Sequence, residues 1–258
     1  MNTWVAFSPL VALTPEQVQT HWRRLHGGDG EQLPASSQLL QAWTLYHRGD
    51  FETAYHSGVA LSEQQESAGL TVAIRALSVY ATYLEPRSVR REQLLEQAQT
   101  LATQHTRSHP DNPNAWYLLA YSLGRHAQSL SVAKSLALGL GQRTREALDH
   151  TLGLNPQHAD AHLALATFHA EVIDKVGEVV GAVTYGASKQ SALALYDRAA
   201  ELHPGSLVGM LETARGLMML DPEHHQTQAE GLYQQLRMAR TLDALEALVV
   251  ELANATDD

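Results

Sequence analysis

Hydrophobic and polar positions along this chain follow a helical rhythm. Ala, Leu, Gln, Glu and Arg dominate, strand signals are nearly missing, and Gly and Pro fall at intervals that punctuate helices. Thr14-Pro15-Glu16-Gln17 joins an N-cap, a proline at the first helical position and a capping-box Gln, which predicts a helix to His26. Gly27-Gly28-Asp29-Gly30 ends it. Helix pairs are then expected over 36–48 with 50–64, 68–84 with 88–107, 113–138 with 142–154, 158–181 with 187–202, and 206–219 with 225–238. A last helix at 241–255 is followed by an acidic tail, Thr256-Asp257-Asp258, expected to fray.

One phrase recurs: small residues spaced along a helix, an aromatic or aliphatic between them, and a proline just past the end. Its best copy runs from Ala192 through Tyr196 and Ala199 to Pro204. Weaker copies end at Pro156 and Pro110, so the three prolines lie 46 and 48 residues apart. After each comes a second helix, opening with Pro113-Asn-Ala-Trp116, Ala159-Asp-Ala-His162 or Leu207-Val-Gly-Met210. A fixed period in this range marks a stacked helical repeat, an architecture that builds binding surfaces more often than active sites.

Three motifs carry a resemblance. Gly49-Asp50-Phe51-x-x-Ala54 and Ala192-x3-Tyr196-x2-Ala199-x4-Pro204 are similar to the second helix of a tetratricopeptide repeat. Pro113-x2-Trp116-x2-Leu119-Ala120 is similar to the first helix of the next. The resemblance covers most of residues 35–240. It implies an all-α, right-handed solenoid of about five helical hairpins, with an N-terminal segment and helix (1–34) and a C-terminal capping helix and tail (241–258). The central units are longer than the family's usual repeat. With Tyr185-Gly186-Ala187-Ser188, that length also resembles the helical partners of TRAP transporters and regulators of microtubule dynamics.

Composition narrows the function. With 28 acidic against 18 basic residues and a formal net charge of −10, there is no basic stripe for nucleic acid. Cysteine is absent, which removes disulfides and thiol nucleophiles. No run of about 18 apolar residues predicts a membrane span. The N-terminus shows no basic leader or small-x-small cleavage site, and Pro9 interrupts it, so a cytoplasmic location is expected.

Four sets of residues are candidates for function. His158, His162 and His169 share one helix face, which with Glu171 would build a metal or hydrolase site. Leu165, Val172 and Val176 continue that stripe, however, and His162 and His169 stand about 10 Å apart along the helix, which favours core packing. Ser131-Val-Ala-Lys134 matches a Ser-x-x-Lys pattern without its companion motifs. The extra lengths at 129–141 and 176–186 are apolar, and all three lysines, Lys134, Lys175 and Lys189, lie in or beside them. With Tyr185 they would form a platform for a small apolar or anionic ligand or a partner helix, unless the extensions bury each other. The last set comes from the family resemblance, whose inner-face register falls on Trp43, Tyr46, His47, Arg75, Tyr117, Tyr121, Arg125, Thr167, Glu171, Arg215 and Met218. The lysines and asparagines that clamp a C-terminal carboxylate in chaperone-binding members are missing there. The expectation is a non-catalytic scaffold that holds a peptide or partner protein, with no cofactor or metal. Residues 1–12, including Trp4-Val-Ala-Phe7, are a candidate plug for that groove, a question the sequence leaves open.

Overall fold

The structure, a computed structural model, describes residues 4–7, 13–64 and 67–255. The expected fraying of the tail falls on 256–258, outside them. Fourteen helices fill the described chain: α1 (Pro15–Leu25), α2 (Ser37–His47), α3 (Phe51–Glu63), α4 (Gly69–Tyr83), α5 (Ser88–Ser108), α6 (Pro113–Ser129), α7 (Val132–Ala137), α8 (Leu140–Leu154), α9 (Ala159–Val176), α10 (Glu178–Tyr185), α11 (Lys189–Leu202), α12 (Leu207–Leu220), α13 (Pro222–Arg237) and α14 (Ala244–Asn254). No strand occurs among the described residues.

Local chemistry starts these helices where expected. The Thr14 hydroxyl accepts from Gln17 N–H at 3.3 Å, and the Gln17 side chain accepts from Thr14 N–H at 2.8 Å, closing the capping box. Ser36, Asp50, Asn112, Ser188, Ser206 and Asp221 cap six further helices with their side chains. Two expected helices are each broken in two. The one predicted over 113–138 stops at Leu130, whose backbone is extended, and Ser131 caps a new short helix. The one predicted over 158–181 is interrupted by Gly177 at φ +82°, a backbone that continues no helix.

Contacts group the chain into two compact units. The first comprises residues 1–26, 30–154 and 242–245, the second 27–29, 155–241 and 246–258. In the first, α3 packs on α4, α4 on α5 and α6, and α6 on α5 and α8. Nearly all of α4 between Gly69 and Ala81 is buried, as expected for a helix apolar on every side. At its start, α4 meets α3 backbone to backbone: a Cβ on Gly58 would lie 2.5 Å from the Gly69 carbonyl oxygen.

Four side-chain contacts in this unit share one offset. Gln97 donates to the Tyr55 hydroxyl, Ser67 pairs with His109, Arg125 donates to the Tyr83 hydroxyl and Lys134 donates to Glu92, each across 42 residues.

A polar chain is buried in the same unit. His47 Nδ1 lies 2.8 Å from Asp243 Oδ2, and His47 Nε2 lies 3.3 Å from His26 Nε2. His47 Nδ1 thus faces the carboxylate and Nε2 faces the His26 ring. Trp22 stacks on His26 at 4.1 Å, and Trp43 stands edge-on to it at 4.6 Å, which walls the chain from water. Removing a buried acceptor leaves its donor unsatisfied, so Asp243→Ala is expected to lower stability by about 2 kcal/mol. Urea melts of the variant and parent would show it, and equal midpoints would assign the pair no energetic role.

In the second unit α9 packs against α10, α11 and α12, and α12 against α13. Its core joins Leu163, Ala166, Ala170, Ile173, Ala192, Tyr196 and Ala199. Tyr196 lies against Gly216, where any Cβ would collide with its ring, and its hydroxyl donates to Thr167 Oγ1 at 3.3 Å. Gly28 supplies a carbonyl to the Asp160 N–H at the start of α9, at 3.0 Å.

Candidate functional site

The first unit assembles a ladder of arginines and tyrosines from α4 and α6. The Arg75 guanidinium lies 5.9 Å from the Tyr117 ring centre. Tyr117 and Tyr121 are 6.1 Å apart, on successive turns of α6. Arg125 lies over Tyr121 at 5.1 Å and over Tyr83 at 5.8 Å. It also donates to the Tyr83 hydroxyl at 3.4 Å and to Gln128 Oε1 at 3.0 Å. Tyr46 adjoins the ladder with its hydroxyl buried. Burial raises its ionisation well above the ordinary phenol range, and the Arg75 charge partly opposes this. Held beside aromatic rings, each guanidinium keeps a planar set of donors and loses few rotamers on binding.

The register on α4 and α6 explains the assembly. Arg75 and Tyr83 are eight residues apart, as are Tyr117 and Arg125, and the unit's 42-residue offset sets Arg75 against Tyr117 and Tyr83 against Arg125. Each hairpin thus presents a cation where its neighbour presents a ring. Tyr83 was not anticipated. The signal that would have found it is the same spacing of eight repeated with the residue types exchanged.

No family model matches this chain, and no curated protein matches it. Its functional reading therefore rests on the residues themselves.

The other expected groove residues divide between core and surface. Trp43 and His47 are 1% exposed, in the aromatic and polar core around His26. Tyr46 at 2% and Tyr117 at 7% are also buried, whereas Arg75, Tyr121 and Arg125 are half-buried. Thr167, Glu171, Arg215 and Met218 belong to the second unit. There Thr167 accepts from Tyr196, Glu171 pairs with Lys175 at 3.7 Å and Met218 is exposed.

The histidines of α9 serve the backbone. His158 caps the helix, its Nδ1 accepting from Ala161 N–H at 3.1 Å. His162 Nε2 lies 2.9 Å from the Pro156 carbonyl oxygen, and His169 Nδ1 accepts from Ser188 N–H at 3.2 Å. Among the described residues no group of three or more His, Asp or Glu could hold a metal ion. Ser131 caps α7 by accepting from Lys134 N–H, and the Lys134 ammonium is exposed and bound to Glu92 at 2.5 Å.

Each extension forms a short helix of its own, α7 in the first unit and α10 in the second. The lysines beside them are paired: Lys134 with Glu92, Lys175 with Glu171 and Lys189 with Glu178 at 3.7 Å. Tyr185 packs edge-on to Phe168. Leu136 and Leu138 are exposed on the first extension, and Val179, Val180 and Val183 on the second. The second unit also holds a cavity of about 210 Å³ between α9, α11, α12 and α13, lined by Leu163, Tyr196, His203, Met210 and Leu232 with Asp160 and Asp197 at its edge. No helix among the described residues is long and apolar enough to cross a membrane.

Trp4–Phe7 packs against α3 and α4. Its Trp4 ring is 4.1 Å from Tyr80 and 6.0 Å from Tyr55. Tyr80 lies about 140° around α4 from Arg75 but about 60° from Tyr83, so this contact adjoins the Tyr83 end of the ladder. The rest of the candidate plug, at 1–3 and 8–12, falls outside the described residues.

Proposed function

We propose that this chain is a non-catalytic interaction module, a right-handed solenoid of tetratricopeptide-like hairpins whose arginine–tyrosine face holds an extended segment of a partner protein. The ladder Arg75–Tyr117–Tyr121–Arg125–Tyr83 carries the reading. Tyrosine and arginine dominate binding energetics because they desolvate large areas at modest entropic cost. A planar guanidinium fixed on an aromatic ring offers paired donors to a carboxylate or to backbone carbonyls, which selects an acidic or backbone-rich ligand. The 42-residue offset that these contacts share supports the repeat architecture, since stacked hairpins place equivalent residues side by side.

The test is a photo-crosslinking residue at position 121 and, as a control, at exposed Gln104. A specific adduct from position 121 identifies the partner segment. Arg125→Ala is then expected to weaken binding of that segment at least about tenfold, roughly 1.4 kcal/mol, with little change in Tm. Equal adducts from both positions, or unchanged affinity in the variant, would remove the ladder from the binding surface.

A further inference from the structure

Beside α3 and α4, Trp4–Phe7 is held in the manner of a bound peptide. Three separate features of the first unit receive it. The Trp4 ring packs on Tyr80 and stacks at 28° on Tyr55. The Val5 N–H donates to the Tyr80 hydroxyl at 2.9 Å. Phe7 covers Gly49, whose φ of +85° turns its Cα toward the ring. A Cβ there would lie 2.9 Å from Phe7 Cδ1 and 3.0 Å from the Phe7 carbonyl oxygen. Val5 and Ala6, between the two anchors, are exposed.

The receiving surface is braced from beneath. The Tyr80 hydroxyl, while accepting from Val5, donates to Glu85 Oε2 at 3.2 Å. Glu85 is 1% exposed and ringed by arginines: Arg87 Nε donates to it at 2.7 Å, Arg90 Nε lies 3.3 Å away, and Arg91 binds its carbonyl oxygen. Tyr55 is fixed by Gln97, which donates to its hydroxyl at 2.6 Å. Both rings and the hydroxyl that meets the Val5 amide are thus held by contacts independent of residues 4–7.

We propose that Tyr55, Tyr80 and Gly49 form a second peptide-binding site, selective for extended segments with aromatic side chains three residues apart, and that Trp4–Phe7 occupies it in cis as a self-ligand a partner must displace. The cis occupant itself shows what fits: two aromatic rings, and between them small or apolar residues that can face solvent. Occupancy in cis rests on local concentration, which a short tether holds in the millimolar range. One main-chain hydrogen bond and two half-exposed aromatics form a modest grip, so a competing segment with further contacts can win.

The probe is a fluorescein-labelled peptide of residues 1–12, titrated onto three proteins: the full chain, the chain without residues 1–12, and the full-length Trp4→Ala/Phe7→Ala variant. The released proteins are expected to bind it saturably at about 0.1 mM, and the full chain at least tenfold more weakly, in proportion to the tether's effective concentration. The double variant keeps the test valid if the deletion does not fold. Adding Tyr80→Phe, which keeps the ring and removes the acceptor for the Val5 amide, is expected to weaken binding about fivefold to tenfold. A control peptide with its aromatics moved to adjacent positions should bind at least about tenfold more weakly. The proposal is overturned if folded, released protein shows no saturation up to about 1 mM. It is equally overturned if the full chain binds as tightly as the released forms, or if the control peptide binds equally well.

Discussion

Replacing Gly58 with alanine is expected to destabilise the first unit by about 3 kcal/mol, lowering Tm by roughly 6–12 °C. The added Cβ would lie 2.5 Å from the Gly69 carbonyl oxygen, 2.8 Å from the Ala73 nitrogen and 3.0 Å from the Ala73 Cβ. Two of these are backbone atoms of α4, so no rotamer change relieves the clash and the helices must separate. Ala73, Ile74 and Leu77 lie fully buried along α4, and separation would open voids beside them. The same substitution at Gly231, inside α13, meets nothing within 4 Å. There alanine is expected to stabilise by about 0.5–1 kcal/mol through helix propensity. Thermal melts of both variants test the contrast. A Gly58→Ala protein within about 1 kcal/mol of the parent would show that the crossing yields at little cost.

Acidification supplies the second large effect. His105 is 1% exposed, and its Nε2 lies 3.2 Å from Thr71 Oγ1. Burial, helped by the neighbouring His109 charge, lowers its pKa from 6.5 to about 4. Between those values the unfolded chain binds a proton that the native chain refuses. Stability is therefore full above about pH 6.5, falls as pH drops, and levels off below about 4, with a total loss on the order of 3 kcal/mol. In His105→Gln the group no longer titrates, so most of this slope should vanish. A smaller slope of the same sign remains from His126, which burial also shifts downward. Glu85 acts in a lower window, because Arg87 holds its carboxylate below the ordinary range and its contribution is lost only on further acidification. Urea midpoints at several pH values between 4 and 7 decide the matter, and identical slopes in variant and parent would clear His105.

Helix positions were largely legible because caps and breakers are local. Thr14, Ser36, Asp50, Asn112 and Ser206 start helices through bonds to N–H groups two or three residues away, so a short window of sequence holds the whole cause. The breaks at Ser131 and Gly177 were missed because apolar residues continue across both, and hydrophobic rhythm cannot register one residue at φ +82°. The site was legible in part. The register that chose Arg75, Tyr117, Tyr121 and Arg125 named four members of one ladder, yet the same register chose Trp43 and His47, which the fold buries. His47 is held there by the carboxylate of Asp243, a residue 196 positions away that no local pattern announces.

That distance orders events during synthesis. Residues 242–245 belong to the first unit although its other residues end at 154. A ribosome that has delivered residue 154 must add 89 more before Asp243 exists, which at typical elongation rates takes about 5–20 s. Until then His47 lacks its carboxylate acceptor and Gly49 lacks the Ala244 methyl that packs beside it. The first unit is therefore the first begun and among the last completed. A nascent chain stalled anywhere in the second unit would leave that unfinished pocket open to chaperones and proteases.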